Sequence, residues 1–272
     1  MQVGVSTASL FSKLPNEEAV AFFDEQGITL AEVFLTSFCE YSKEFGKLIA
    51  QKKGNLQVHS VHVLNTQFEP QLFSTCDRVK ADSFEWLKKA MEGAREFGAK
   101  CYTFHGIARY KKAARLGIND DFRYWSKCLK EISATCDGYG IELCLENVEW
   151  SVFNRPEVFE KISGYYPELK GVLDIKQARI SGFALEEYIK VMEGKIAHAH
   201  LSDIDANGKI CLPGQGIIDF DALFKRLNGA GFDGPAFIEV YKDDYKELSE
   251  IKRSVEFLQE KIYKYSYETK KA

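Results

Sequence analysis

A parallel (β/α)8 barrel is the fold class that this sequence predicts, and three observations predict it. Eight short β-rich runs recur along the chain, the stretches between them carry helical spacing with charged punctuation, and helices close on a glycine shortly before the next strand. Strands that alternate with helices pair in parallel, because each crossover helix returns the chain to begin the next strand in the same direction. Eight such units in roughly 250 residues match the size of this barrel.

The first run, QVGVSTA from Gln2, leads into STASLFSKLP, which lacks the G-x-G-x-x-G phosphate turn that marks an open doubly wound sheet. PNEEAVAFFDEQG then reads as a helix, with Ala19, Phe22 and Phe23 as its apolar stripe and Gly27 as its stop. LAEVFL from Leu30 and QVHSVHV from Gln57 are the second and third strands. REFGAK closes a helix ahead of the strand KCYTFHG from Lys100, and CDGYGIE does the same ahead of IELCLENV from Ile141. Glycines so placed are the C-terminal caps of αβ connections. KGVLDI from Lys170, KIAHAHLSD from Lys195 and PAFIEVY from Pro235 complete the set. Without a Pro/Gly/Ser-rich linker or a composition break, residues 1–272 read as one domain, its basic tail YKYSYETKKA, from about residue 262 on, expected to fray beyond the last helix.

Composition narrows the function classes. Of the 272 residues 45% are hydrophobic and 28% charged, which is enough for a sizeable core and excludes wholesale disorder. Thirty-six basic against 40 acidic side chains leave a net charge of -4, so no global positive field is available to hold a nucleic-acid backbone. No apolar run approaches the roughly 18 residues of a membrane span, and the N-terminus lacks signal-peptide zones. The expectation is a soluble cytoplasmic protein with neither a nucleic-acid nor a membrane partner. Seven scattered cysteines without a C-x-x-C pair read as reduced, with Cys101 and Cys144 as small buried side chains inside strands.

All five histidines fall in or at the ends of strand runs. The C-terminal strand ends form the active-site face of such a barrel, so polar strand closers are the candidates: His62, His105, Glu146, Asp174, His200 and Glu239. Alternation along each strand places His198 and His200 on one face and sets His59 opposite in parity to His62. His62 is therefore expected inside and His59 beneath the helices. LCLENV, GVLDIK and FIEVY each drive an acid to the end of an apolar run, where an uncompensated carboxylate is costly. A divalent cation compensates such a set and leaves positions open for substrate. Two glutamates, an aspartate and a histidine are a hard set suited to Mn²⁺ or Mg²⁺, with Co²⁺ or Zn²⁺ also able to bind.

LEN at 145–147, LDIKQA at 173–178, HAHLSD followed by PGQGIIDF, and DGPAFIEV at 233–240 together resemble the xylose isomerase-like TIM barrel superfamily over nearly the whole chain. That superfamily holds sugar isomerases and epimerases, inosose dehydratases and enzymes of the endonuclease IV type. The resemblance implies one metal held by Glu146, Asp174, His200 and Glu239. It further implies that Glu146 and Glu239 are the catalytic acid and base of a sugar or sugar phosphate isomerase or epimerase working through a cis-enediolate. A metal-dependent dehydratase of an inosose-like substrate is the alternative, ahead of a non-catalytic binding barrel or an abasic-site endonuclease.

The chain departs from its relatives in places. Gln177 stands where many have a histidine, IDANGKICLPGQG lacks the Asp-x-His of the endonuclease branch, and Ala206 replaces an arginine of some ketose epimerases. For substrate binding the candidates are His62, His105, Lys176, Gln177, Arg179 and Trp150, with Phe11 as a further stacking face. Lys176 and Arg179 suit an anionic group. The PGQG turn offers backbone donors at the barrel mouth. The expected partner is a small carbohydrate, with homo-oligomerisation left open.

Overall fold

The computed structural model describes residues 1–64, 68–108 and 120–269, with side chains as far as residue 264. Its centre is a closed sheet of eight parallel strands: β1 (Gln2–Ser6), β2 (Leu30–Leu35), β3 (Gln57–Val63), β4 (Cys101–Phe104), β5 (Glu142–Glu146), β6 (Lys170–Asp174), β7 (Ile196–Leu201) and β10 (Pro235–Ile238). Between β7 and β10 lies a short antiparallel pair, β8 (Asp203–Ile204) and β9 (Ile210–Cys211). Each barrel strand pairs with its successor, and β10 closes on β1. The eight strands are those expected from the sequence.

The described helices are α1 (Asn16–Glu25), α2 (Lys43–Lys52), α3 (Asp77–Glu96), α4 (Phe122–Asp137), α5 (Pro156–Tyr165), α6 (Ile175–Ile180), α7 (Leu185–Val191), α8 (Phe220–Gly229) and α9 (Ser249–Thr269). The last of them continues through most of the expected tail, as far as Thr269. Helix α1 shows how such an element is specified. Glu17 and Glu18 in its first turn oppose the positive end of the helix dipole, and Ala19, Val20 and Phe23 turn inward. It stops because Gly27 takes a φ of 73°, which lets the Ile28 amide donate back to the Phe23 carbonyl at 2.9 Å. Ile28 itself is buried, which ties the cap to the start of β2. Gly140 repeats the device before β5, where the Ile141 amide donates to the Cys136 carbonyl.

Two irregularities control what faces the lumen. Ala31 pairs with Val58 but Glu32 pairs with Ser60, so His59 is an extra residue in β3. Gly171 pairs with Ile196 but Val172 with His198, making Ala197 an extra residue in β7. Such bulges break the two-residue alternation. Ser60 and His62 point inward above the first bulge, and His59 also enters the lumen, its ring 5.5 Å from His198 and 5.9 Å from Phe237. The expectation that His59 lies beneath the helices is therefore corrected. Phe237 fills the lower lumen, and only a glycine fits opposite it: a Cβ on Gly4 would lie 2.8 Å from that ring.

Candidate active site

Above Phe237 the lumen turns polar. Glu32, in the middle of β2, is fully buried and accepts hydroxyl protons from Ser6 (2.9 Å), Ser60 (2.8 Å) and Thr103 (2.6 Å). Burial pushes its carboxyl up, but His200 and His62 outweigh that and hold it well below the ordinary range. The sequence reading missed this residue, although an acid in the middle of the apolar run LAEVFL is a visible signal.

One layer higher, four neighbouring strands deliver Glu146 (β5), Asp174 (β6), His200 (β7) and, just past its end, Glu239 (β10). All four are buried, and they offer ligand atoms within 4.8 Å of one another. His200 Nδ1 faces the acids, 2.9 Å from Glu146 Oε1, 2.8 Å from Glu239 Oε2 and 4.0 Å from Asp174 Oδ2. Its other nitrogen, Nε2, lies 3.1 Å from Glu32 Oε1. A histidine ligand is oriented in this way, one nitrogen turned to the ion and the other to a supporting carboxylate. Asp174 Oδ2 is buried without a hydrogen-bond partner, and Glu239 Oε2, close to His200 Nδ1, makes no well-aligned hydrogen bond. These two oxygens and the hard donor set fit a divalent cation.

Charge is otherwise balanced by three cations. Lys176, second residue of α6, is buried with Nζ 3.7 Å from Asp174 Oδ2 and 3.6 Å from Glu239 Oε1, and it sits 4.3 Å over the Tyr241 ring. His62 is raised to about 9: burial opposes its charge, but Glu32, Glu146 and Glu239 outweigh that. His200 is raised well above its ordinary value, with Glu239 and Glu32 overcoming the cost of burial. Burial pushes Asp174 up to about 6 despite Lys176, whereas His200 and Lys176 keep Glu239 ionised against its burial.

The other half of the rim is built from imidazoles and aromatic rings. His62 Nε2 lies 2.8 Å from His105 Nε2, and His105 Nδ1 lies 3.0 Å from Glu69 Oε2. Glu69 is fully buried and also accepts from the Tyr102 hydroxyl at 2.6 Å. With the His105 Nδ1 proton directed at Glu69, His105 Nε2 accepts from His62, which turns its second N–H toward Glu32 at 3.3 Å. Both rings stand within 3.7 Å of Glu146 Oε2. Asn147 fixes the strand ends by donating to the Asp174 carbonyl and accepting from its amide, each at 2.8 Å.

Over this floor lies a cleft of about 330 Å³ whose lining includes His62, His105, Glu146, Gln177 and Glu239 beneath Phe11, Phe34, Trp150 and Tyr241. Gln177 accepts from the Glu149 amide at 3.1 Å through Oε1. Lys176 lies behind the metal-ligand candidates rather than in the cleft lining. Arg179 is exposed and lines a separate groove beside Phe183 and Arg226, so it does not join the other candidates. The PGQG turn is also committed elsewhere, because the amides of Gly214 (3.0 Å), Gly216 (3.1 Å) and Ile218 (3.0 Å) all donate to the buried Asp203 carboxylate. Among the described residues no helix is long and apolar enough to cross a membrane.

The profile of the xylose isomerase-like TIM barrel family matches residues 18–261. Among curated proteins, L-ribulose-5-phosphate 3-epimerase UlaE of Shigella boydii serotype 18 is 24% identical over 178 residues, covering 63% of this chain and 61% of that protein. The match thus spans about three fifths of the relative's length. A D-tagatose 3-epimerase-like protein superposes with a TM-score of 0.80 at 21% identity, covering 99% of this chain and 100% of the other. The IOLI protein, with a bound zinc atom, superposes with a TM-score of 0.74 at 18% identity, covering 97% of this chain and 98% of the other. At these identities the structural likeness establishes the fold.

Proposed function

The chain belongs to the xylose isomerase-like TIM barrel family, and from that premise we propose that it is a divalent-metal-dependent epimerase or isomerase of a ketose or ketose phosphate. One observation carries the reading: Glu146 and Glu239 stand at the two ends of a four-strand arc, share His200 between them, and both reach the same cleft. Glu146, Asp174, His200 and Glu239 are the residues that would hold the ion. When bound, a divalent ion chelated by a carbonyl and its neighbouring hydroxyl acidifies the adjacent C–H bond.

The protein groups then handle the proton. One glutamate removes it and the other returns it from the far side of the substrate carbon, which inverts that carbon. Neighbouring cations favour the carboxylate form of both groups in the metal-free protein, the form in which either serves as base; the glutamate that returns a proton first takes one up from solvent. His62 and His105 border Glu146 and can hydrogen-bond the hydroxyls of the substrate. Trp150 and Phe11 offer apolar faces to its carbon skeleton and shield the reacting end from water. No lysine or arginine is among the described residues lining the cleft. That lining accounts for the polyol part of the substrate, and both free and phosphorylated ketoses belong in the test.

The test is product analysis with chelator-stripped protein to which Mn²⁺, Mg²⁺, Co²⁺ or Zn²⁺ is restored, against a panel of ketoses and their 5-phosphates. A product of unchanged mass, formed only with metal, supports the reading. Loss of a water mass makes the enzyme a dehydratase instead. No turnover with any metal contradicts an enzymatic role on these substrates.

A further inference from the structure

The lower end of the lumen holds a cluster that the proposed reaction does not use. We propose that His59, Cys101 and His198 form a second, buried metal site, selective for Zn²⁺ or a similar borderline-soft divalent ion and separate from the carboxylate arc. Their ligand atoms lie within 4.8 Å of one another. Zinc bonds of about 2.0–2.3 Å hold tetrahedral ligands roughly 3.5 Å apart, so a modest inward movement of the side chains completes the site.

The tautomer of His198 follows from its partners. The Thr103 hydroxyl gives its proton to Glu32 at 2.6 Å, so toward His198 Nε2, 2.9 Å away, its oxygen accepts. Nε2 therefore carries the ring hydrogen, supported by Glu32 Oε2 at 3.5 Å. The remaining nitrogen, Nδ1, is buried without a hydrogen-bond partner in a side chain that is wholly inaccessible, and an ion bound there would displace any proton it carries. His59 Nε2 is likewise buried and unpartnered. Buried polar atoms in such a state are destabilising unless something meets them. Thr103, itself bonded to Glu32, holds the far nitrogen of His198 in the way that supports a metal-bound imidazole.

The bulge in β3 creates the site, because it turns His59 into the lumen toward His198. Cys101 supplies a thiol from β4, which ligates as the thiolate and releases its proton to solvent on binding. Cys144 Sγ, also near Cys101, is directed at the Glu142 carbonyl at 3.7 Å and stays outside the triad. The way in is a cleft of about 330 Å³ at the bottom of the barrel, lined by His59 among Gln57, Phe97 and Lys100. One sulfur and two imidazoles favour zinc over the hard ions that suit the upper arc.

The experiment is a Co²⁺ titration of the chelator-stripped full chain, read by absorption, since only thiolate ligation gives a sulfur-to-cobalt charge-transfer band in the near ultraviolet. The expected result is a band that saturates by two equivalents per chain in the native protein, where the upper arc also takes Co²⁺, persists in Glu239→Gln, disappears in Cys101→Ser and is abolished by added Zn²⁺. Should Cys101→Ser fail to fold, His59→Ala is expected to weaken the affinity behind the band at least tenfold. No band in the native chain overturns the proposal. So does a band that survives Cys101→Ser, because the exposed Cys39 or Cys76 would then be the ligand.

Discussion

Replacing Glu32 by Gln is expected to weaken binding at the upper site without touching any atom that would contact the ion. Glu32 lies behind His200, with Oε1 3.1 Å from Nε2, and leaves Nδ1 turned to the three carboxylates. Glutamine keeps the volume, and the Ser6, Ser60 and Thr103 hydroxyls can rotate to suit the amide, so the fold should survive. What disappears is the charge that orients and enriches the imidazole. The 3.1 Å contact is a close charge contact with the imidazole rather than a formed hydrogen bond. Losses for supporting residues behind metal ligands span about 10- to 100-fold, and a loss in that range is expected here. Calorimetric titration with Mn²⁺ of the stripped wild type and of Glu32→Gln should show this loss of affinity at unchanged stoichiometry. Equal affinities in two well-folded proteins would refute the role assigned to Glu32.

Proton linkage at the same site has a definite sign. In the metal-free protein His200 is raised well above its ordinary value and holds a proton at pH 7, and a ligand nitrogen must lose it. Mn²⁺ affinity should rise about tenfold per pH unit near neutrality; below about 6, where Asp174 also takes a proton, the dependence should steepen toward a hundredfold. A pH series of titrations checks this, and an affinity independent of pH contradicts it. Asp203→Ala removes the shared acceptor of three loop amides at 3.0–3.1 Å and should cost about 3 kcal/mol in urea unfolding; a loss below about 1 kcal/mol would mean the loop is held by other contacts. Trp150→Ala should raise KM severalfold while Arg179→Ala, in its separate groove, leaves both kinetic constants unchanged. The reverse pattern in steady-state kinetics would relocate the substrate.

The barrel was legible because eight apolar runs separated by glycine-capped helices leave few other topologies. Much of the site was legible for a related reason: Glu146, Asp174 and Glu239 each end an apolar run, where a carboxylate needs a partner. Glu32 escaped because attention to strand ends passes over an acid in mid-strand. His59 was misplaced because strict alternation assumes an unbroken strand, and nothing in QVHSVHV marks the bulge that depends on its pairing with β2. Arg179 follows Asp174 closely in sequence, but it lies in the turn of α6 directed away from the cleft, a direction set by how that helix docks. The PGQG amides looked available for substrate until Asp203, eleven and thirteen residues earlier in the chain, proved to be their acceptor.

The most direct test of the account is solvent hydrogen exchange into an accepted ketose, followed by proton NMR in D₂O with metal-loaded protein. Proton transfer through Glu146 and Glu239 predicts one deuterium on the inverted carbon of the epimer. Glu146→Gln and Glu239→Gln should each abolish interconversion, and each should retain exchange from only one epimer. Epimer formed without solvent deuterium, or full turnover in Glu239→Gln, would contradict the two-glutamate mechanism.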